Sequence, residues 1–126
     1  MSDARLALAV AVVAIALGVA GTARLLQQRR SAMRPLDLAG LPTGLVLFTD
    51  AGCRRCLRVR DVLRSGGVPF TEVAYEQDSD AFRRSGVAGV PLLVAIAPGG
   101  VEVGRVAGRL TPRALRALRQ KLTADG

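Results

Sequence analysis

The fold is decided by residues 45–56, which read LVLFTDAGCRRC. The apolar run Leu45–Phe48 predicts a short strand that is buried on both faces. A short turn separates this strand from Cys53, and apolar residues then recur at helical spacing from Cys56 to Leu63. Both thiols are therefore expected where a buried strand gives way to a helix. The partial positive charge and spare N–H groups of a helix N-terminus lower the pKa of a thiol placed there, which favours a dithiol redox site.

Cys53 and Cys56 are the only cysteines in the 126-residue chain, which contains no histidine. A tetrahedral zinc site needs four such ligands, so zinc would have to take ligands from another molecule. The sequence therefore predicts a redox-active pair, with no metal and no other cofactor. The alternative interpretation is that the two cysteines are small buried hydrophobic residues that lie close together by chance.

An uncharged stretch near the N-terminus, Leu6–Ala23, predicts a single transmembrane helix. As a helix it covers roughly 27 Å, and Arg5 and Arg24 reach the opposite interfaces of the bilayer. We expect a membrane anchor over residues 1–26, a basic juxtamembrane segment and linker over 27–44, and one domain over 45–126. The alternative is a signal peptide cleaved after the small residues 21–23, but a single Arg beside Asp3 makes a weak leader.

Charge around the apolar stretch predicts its orientation. More arginines follow the stretch than precede it, so the positive-inside rule places the domain in the cytoplasm. Dithiol proteins with one N-terminal helix often act on the outer face, so an extracytoplasmic domain is the alternative. The same arginines can bind anionic lipid headgroups. These residues are Arg24, Arg29, Arg30 and Arg34.

The net charge of +8 does not indicate nucleic-acid binding. The arginines are divided between the juxtamembrane segment and several separate helices. With three Phe, one Tyr and no Trp, the chain has almost nothing to stack on bases. Phe48, Phe70 and Phe82 fall on apolar strand or helix faces and are expected in the core.

Two further elements follow the predicted cysteine helix. Ser65-Gly66-Gly67 ends that helix, and residues 68–75 have the density of apolar residues that is typical of a strand. Asp78 is suited to cap a short helix that Gly86 closes. The first half of the domain therefore reads as strand, helix, strand and helix.

The second half of the domain predicts a hairpin and a final helix. Pro91–Ile96 forms a third apolar strand, Pro98–Gly100 makes a turn, and residues 101–106 alternate as a more exposed strand. Thr111 and Pro112 are suited to the N-cap and first position of the last helix. Its buried stripe comprises Leu115, Leu118 and Leu122.

This order, with C-x-x-C at the first strand-to-helix junction and Val90-Pro91 opening the third strand, resembles the thioredoxin superfamily. The similarity covers residues 45–122, and its most specific stretch is GVAGVPLL at residues 86–93. The resemblance implies an α/β fold of βαβαββα order, a central mixed sheet flanked by helices, here preceded by one transmembrane helix. It also implies a cis Val90–Pro91 bond in a loop that lies against the dithiol and offers backbone groups to a substrate peptide. Because Pro91 has no N–H, it keeps a competing donor from the sulfurs and discourages metal capture.

The chain departs from the thioredoxin pattern in three places. Ala51-Gly52 stands where the family usually has a Trp, and Arg54-Arg55 replaces Gly-Pro between the cysteines. Leu47 occupies the place of a buried acid that helps to move a proton from the second thiol. Asp50 is a candidate for that proton relay, and its alternative role is to cap the turn before the helix.

The resemblance and the position of the thiols predict their roles. Cys53, the exposed thiol, is expected to attack a substrate disulfide, and Cys56, one turn further and on the buried face, to resolve the mixed disulfide. Arg54 and Arg55 should depress the pKa of Cys53, which stabilises the reduced form and makes the pair a stronger oxidant. The alternative is that these arginines are an ordinary solvated helix start.

Three functions follow from these expectations. The first is a membrane-tethered thiol–disulfide oxidoreductase that acts on protein or small-molecule disulfides and dithiols. The second is a membrane-bound assembly or interaction subunit that keeps the fold and uses the site little, which the loss of the Trp and the buried acid favours. Metal delivery by the dithiol is the third, and two arginines and a proline shield make poor surroundings for it.

Overall fold

One long N-terminal helix precedes a domain of four strands and three helices in the part of the chain that the structure describes. A computed structural model describes the backbone of residues 2–33 and 35–125, with side chains for residues 2–26 and 35–125. After α1, the order of elements is the predicted βαβαββα. The elements are α1 Ser2–Met33, β1 Gly44–Thr49, α2 Arg54–Ser65, β2 Thr71–Ala74, α3 Ser79–Ser85, β3 Leu92–Ala97, β4 Val101–Ala107 and α4 Pro112–Asp125.

The four described strands form one mixed sheet in the order β2-β1-β3-β4. β1 pairs with β2 in parallel and with β3 in antiparallel register, and β4 is antiparallel to β3. Every residue of β3, and all of β1 except Gly44, is buried. Central strands covered on both faces require continuous apolar sequence, which is why Leu45–Phe48 and Leu92–Ile96 lack polar alternation.

The antiparallel pairing of β1 and β3 brings the two most informative sequence motifs together. Phe48 lies opposite Leu92, so the end of β1 meets the beginning of β3. The loop that carries Cys53 leaves from one strand end, and Pro91 enters at the other. Both segments therefore lie at the same edge of the sheet.

Two apolar clusters cover the faces of the sheet. On one face, Leu45 and Leu47 pack against buried side chains of α2 and α4, including the predicted Leu115 and Leu118, with Leu122 partly buried. On the other face, Val46 and Phe48 pack with α3 and with part of the segment between α1 and β1. Phe82 and Phe70 are partly buried at these clusters, as expected for core positions.

The segment predicted as a linker takes part in the second cluster. Leu38 is 7% exposed, and the Asp37 N–H donates to the carbonyl of Ser85 at 3.0 Å. Leu36 and Leu41 pack beside Leu38. Residues 36–41 therefore add apolar side chains to the sheet face on which the seven-residue α3 packs.

The helix α1 continues beyond the predicted membrane boundary near Leu26 and ends at Met33. Residues 25–33 contain neither Gly nor Pro, and Pro35 disfavours helical backbone for the residue before it. Within the described chain, Ser2–Leu26 is long and apolar enough to cross a membrane, with a mean hydropathy of 2.4 and no buried residues in its apolar window. It has the character of a membrane anchor or a signal sequence. The side chains of Arg29, Arg30 and Arg34 lie outside the described residues, and their lipid contact stays a prediction.

The predicted helix caps are confirmed. The Asp78 carboxylate accepts a hydrogen bond from the Ala81 N–H at 3.1 Å, and Gly86 closes α3 with φ 78°. The Thr111 hydroxyl accepts from the Ala114 N–H at 3.1 Å at the start of α4. These side chains satisfy backbone donors that a helix start leaves without partners.

Candidate redox site

Cys53 and Cys56 form a disulfide at the N-terminus of α2, with Cα atoms 5.3 Å apart. Cys53 is the N-cap residue, in extended conformation with φ −82° and ψ 100°. Cys56 lies on the buried face of the helix and is 1% exposed, whereas Cys53 is partly exposed. The sulfur that a partner molecule can reach is therefore that of Cys53.

The backbone of α2 presents positive partial charge to the Cys53 sulfur. The Cys56 N–H donates to Cys53 Sγ at 3.1 Å. The first turn of α2 holds no acidic residue and instead carries the exposed Arg54 and Arg55. A hydrogen-bond donor and a helix N-terminus both favour negative charge on this sulfur when the disulfide is reduced. The tuning role of the two arginines stays a prediction.

Pro91 lies beside the disulfide. The Val90–Pro91 peptide bond is cis, as the family resemblance implies. Pro91 is buried and Val90 is partly exposed. The Gly108 N–H donates to the Pro91 carbonyl at 3.0 Å, which ties the end of β4 to this loop.

An open groove of about 470 Å³ joins these parts. Cys53, the proline loop, the end of β4 and one residue of α1 line it. It therefore brings together every predicted site residue except the buried Cys56 and the exposed Asp50. The lining comprises Arg24, Gly52, Cys53, Arg54, Arg55, Gly89, Val90, Pro91, Ala107 and Gly108.

Asp50 is exposed and contributes a backbone contact to the site. Its carbonyl accepts a hydrogen bond from the Cys53 N–H at 3.4 Å, which closes the turn before α2. Neither a proton relay nor a side-chain cap at Asp50 is decided by these contacts, and both stay predictions. Gly52, in the same turn, has φ 91°, a backbone conformation that favours glycine.

Glu76 is hydrogen-bonded to the turn that precedes Cys53, and this contact was not predicted from the sequence. Glu76 Oε2 accepts a hydrogen bond from the Ala51 N–H at 2.9 Å. The Tyr75 N–H donates to the Thr49 carbonyl at 2.9 Å, so the segments that follow β1 and β2 run side by side. Parallel strands end at the same edge of a sheet, and this rule could have pointed to the residues just after β2.

The position of Leu47 is fully apolar. Leu47 is 0% exposed and packs in the cluster formed by α2, α4 and the sheet. The nearest acid in register is Glu72, which lies opposite Leu47 on β2. Glu72 accepts a hydrogen bond from the Thr49 hydroxyl at 2.8 Å and forms an ion pair with Arg60 of α2. The carboxylate on this face of the sheet is therefore committed to an ion pair.

Among the described residues, no group of three or more His, Cys, Asp or Glu side chains is placed to hold a metal ion. Comparison with known proteins adds no assignment, since neither a family model nor a curated protein matches the sequence. What stands is a mixed α/β fold, compatible with a thioredoxin-like one, with a C-x-x-C disulfide beside a cis-proline. This geometry is consistent with a redox-active dithiol.

Proposed function

We propose that this protein is a membrane-tethered thiol–disulfide oxidoreductase with a thioredoxin-like fold. One observation carries the proposal: a disulfide at a helix N-terminus, with Cys53 partly exposed and Cys56 buried, lines one open groove together with a cis-proline. A purely structural disulfide has no need of an accessible sulfur at a helix N-terminus. The redox-active pair Cys53–Cys56 needs no further cofactor.

The exchange reaction uses both thiols in turn. The Cys53 thiolate attacks one sulfur of a substrate disulfide, the substrate S–S bond breaks, and the departing substrate thiolate takes a proton. Cys56 then loses its proton and attacks Cys53 Sγ, which releases the second substrate thiol and leaves the Cys53–Cys56 disulfide. Two electrons pass to the substrate, and the reverse sequence oxidises a substrate dithiol. The exposure of Cys53 and the burial of Cys56 support these roles.

Tethering by α1 confines the dithiol to partners near the membrane and raises its effective concentration there. The excess of arginines after the apolar span favours a cytoplasmic domain, and Arg24 and its neighbours favour contact with anionic lipids.

Trapping tests the proposal. In the full chain, Cys53→Ser should abolish exchange, whereas Cys56→Ser should leave a mixed disulfide with the natural partner, because only the resolving step is lost. The adducts are measured on non-reducing gels, with dithiothreitol reversal as the control. Equal adduct formation by both variants would contradict the assigned roles, and no exchange by the wild-type chain with any disulfide would contradict the function.

A second function has one observation in its favour. Leu47 fills the place of the expected buried acid with an apolar core residue, which suits a subunit that uses the fold for assembly. The variant Cys53→Ser/Cys56→Ser separates the two functions, because an assembly subunit would keep its cellular role without either thiol.

A further inference from the structure

We propose that the substrate is an acidic polypeptide segment, in which carboxylates flank the reactive disulfide. This proposal rests on the exchange function proposed above. Its basis is a run of arginines that lines two adjoining grooves beginning at Cys53.

The first groove is the one that contains the disulfide. Three of its lining residues are arginines: Arg54 and Arg55 from the first turn of α2, and Arg24 from α1. Among the described side chains that line this groove, none is a carboxylate. Since Arg24 lies two residues before the end of the apolar span Ser2–Leu26, this groove opens beside the membrane end of α1.

The second groove continues from the first along α2. The two share Arg55 and Ala107, and the second adds Arg58 and Arg109. It has a volume of about 930 Å³, and its described lining again includes no carboxylate. Apolar side chains complete it: Val59, Val62, Leu110 and Pro112. A continuous surface with five arginines and an apolar base therefore leads away from the disulfide.

Two arginines outside the grooves are paired with carboxylates within the chain. Arg60 forms an ion pair with Glu72, and Arg105 forms one with Glu102. In contrast, Arg54 and Arg55 are exposed in the first turn of α2, where cations are unfavourable to the helix. Binding of a negatively charged partner would explain why two adjacent cations stand at a helix start that disfavours them.

The length of the groove favours a polypeptide over a small anion. From Arg54 to Val62, α2 rises about 12 Å. This length corresponds to roughly four residues of extended chain at about 3.3 Å each. A substrate segment whose disulfide lies at Cys53 would thus place carboxylates within about four residues of its own cysteine beside Arg55, Arg58 and Arg109.

The test compares three disulfide peptides of equal length, with Glu, Gln or Lys at the positions that flank the cysteines. The full chain is held in nanodiscs of zwitterionic lipid, and rate constants for exchange are measured by single turnover in both directions. We expect the Glu peptide to react about tenfold faster than the Gln peptide and the Lys peptide to react more slowly than both, because charge steering raises association rates by this order. The preference should shrink at high salt.

Two variants with the same change in net charge locate the effect. Arg58→Gln/Arg109→Gln should reduce the Glu-to-Gln rate ratio by at least about threefold. Arg116→Gln/Arg119→Gln, on the exposed side of α4 and outside both grooves, should leave the ratio as it is.

Equal rates for the three peptides, or equal ratios for the two variants, would overturn the acidic-substrate proposal while the exchange function stands. A preference that is present in zwitterionic lipid and lost in anionic lipid would assign the arginines to headgroups and also overturn it. Failure to exchange with any peptide would instead overturn the oxidoreductase function itself.

Discussion

The reduction potential of Cys53–Cys56 should fall when Arg54 and Arg55 are replaced by glutamine. Both side chains are exposed and share the groove with the Cys53 sulfur. Side chains that line one groove can bring their charges to about 6 Å from the sulfur, the range over which a neighbouring charge shifts a pKa. At that distance a unit charge stabilises a thiolate by about 0.7 kcal/mol in water, and physiological salt reduces this to about 0.3 kcal/mol.

The two arginines together then contribute about 0.7 kcal/mol to the reduced form. For a two-electron couple, 1.4 kcal/mol corresponds to about 30 mV, so Arg54→Gln/Arg55→Gln should be more reducing by about 15 mV. The pKa of the Cys53 thiol should rise in the same variant, because the thiolate loses two cations. Equilibration with glutathione buffers measures the potential, and pH-dependent alkylation reports the thiolate.

Two controls, one of charge and one of salt, test whether the charges of Arg54 and Arg55 set this part of the reduction potential. Arg116→Gln/Arg119→Gln removes the same net charge from a surface outside the grooves and should leave the potential as it is. Because the Debye length falls to about 3 Å at 1 M salt, the difference between wild type and Arg54→Gln/Arg55→Gln should nearly vanish there. An unchanged potential at low salt, or a shift that high salt does not reduce, would refute the electrostatic role of the two arginines.

Three further changes test the fold and the site. Gly104→Ala would place a Cβ 2.8 Å from a leucine methyl group of α4, so the free energy of unfolding should fall by about 1–3 kcal/mol in guanidinium titrations. Gly66→Ala, whose nearest contacts are 3.4 Å away, is the matched control. Equal stability of the two variants would contradict the close packing of β4 on α4. Glu76→Ala removes the acceptor for the Ala51 N–H, so exchange should slow by about fivefold with unchanged helix content, and Glu76→Gln should restore most of the rate. Residues 35–126 should form a soluble monomer with a stability of a few kcal/mol, and aggregation of that fragment by light scattering would show that the core depends on α1.

Local sequence was sufficient for the type and order of the elements, although α1 extends to Met33 and β2 is shorter than the predicted strand. The apolar run Leu45–Phe48, the glycines after α2 and the Asp78 and Thr111 caps each act through neighbouring residues. Hydrophobic periodicity, glycine conformations and side-chain caps depend on a few bonds along the chain, so they can be read without knowing the tertiary structure. The placement of both cysteines at a strand-to-helix junction is of this kind.

The assembly of the site was decided only by tertiary structure. Pro91 faces the disulfide because β1 and β3 are antiparallel, with Phe48 opposite Leu92. Glu76 reaches the cysteine turn because β1 and β2 are parallel, with Thr49 opposite Ala74 at the same edge.

The contacts of α1 and of the segment after it are likewise long-range. Leu38 packs on the same sheet face as α3, and Arg24 lines the groove because α1 contacts β4. Such contacts join residues far apart in sequence, and each is a small part of the packing energy of the whole fold. No local pattern of residues encodes them, so the sequence by itself determined the elements and the position of the cysteine pair, whereas the packing of the sheet determined what surrounds that pair.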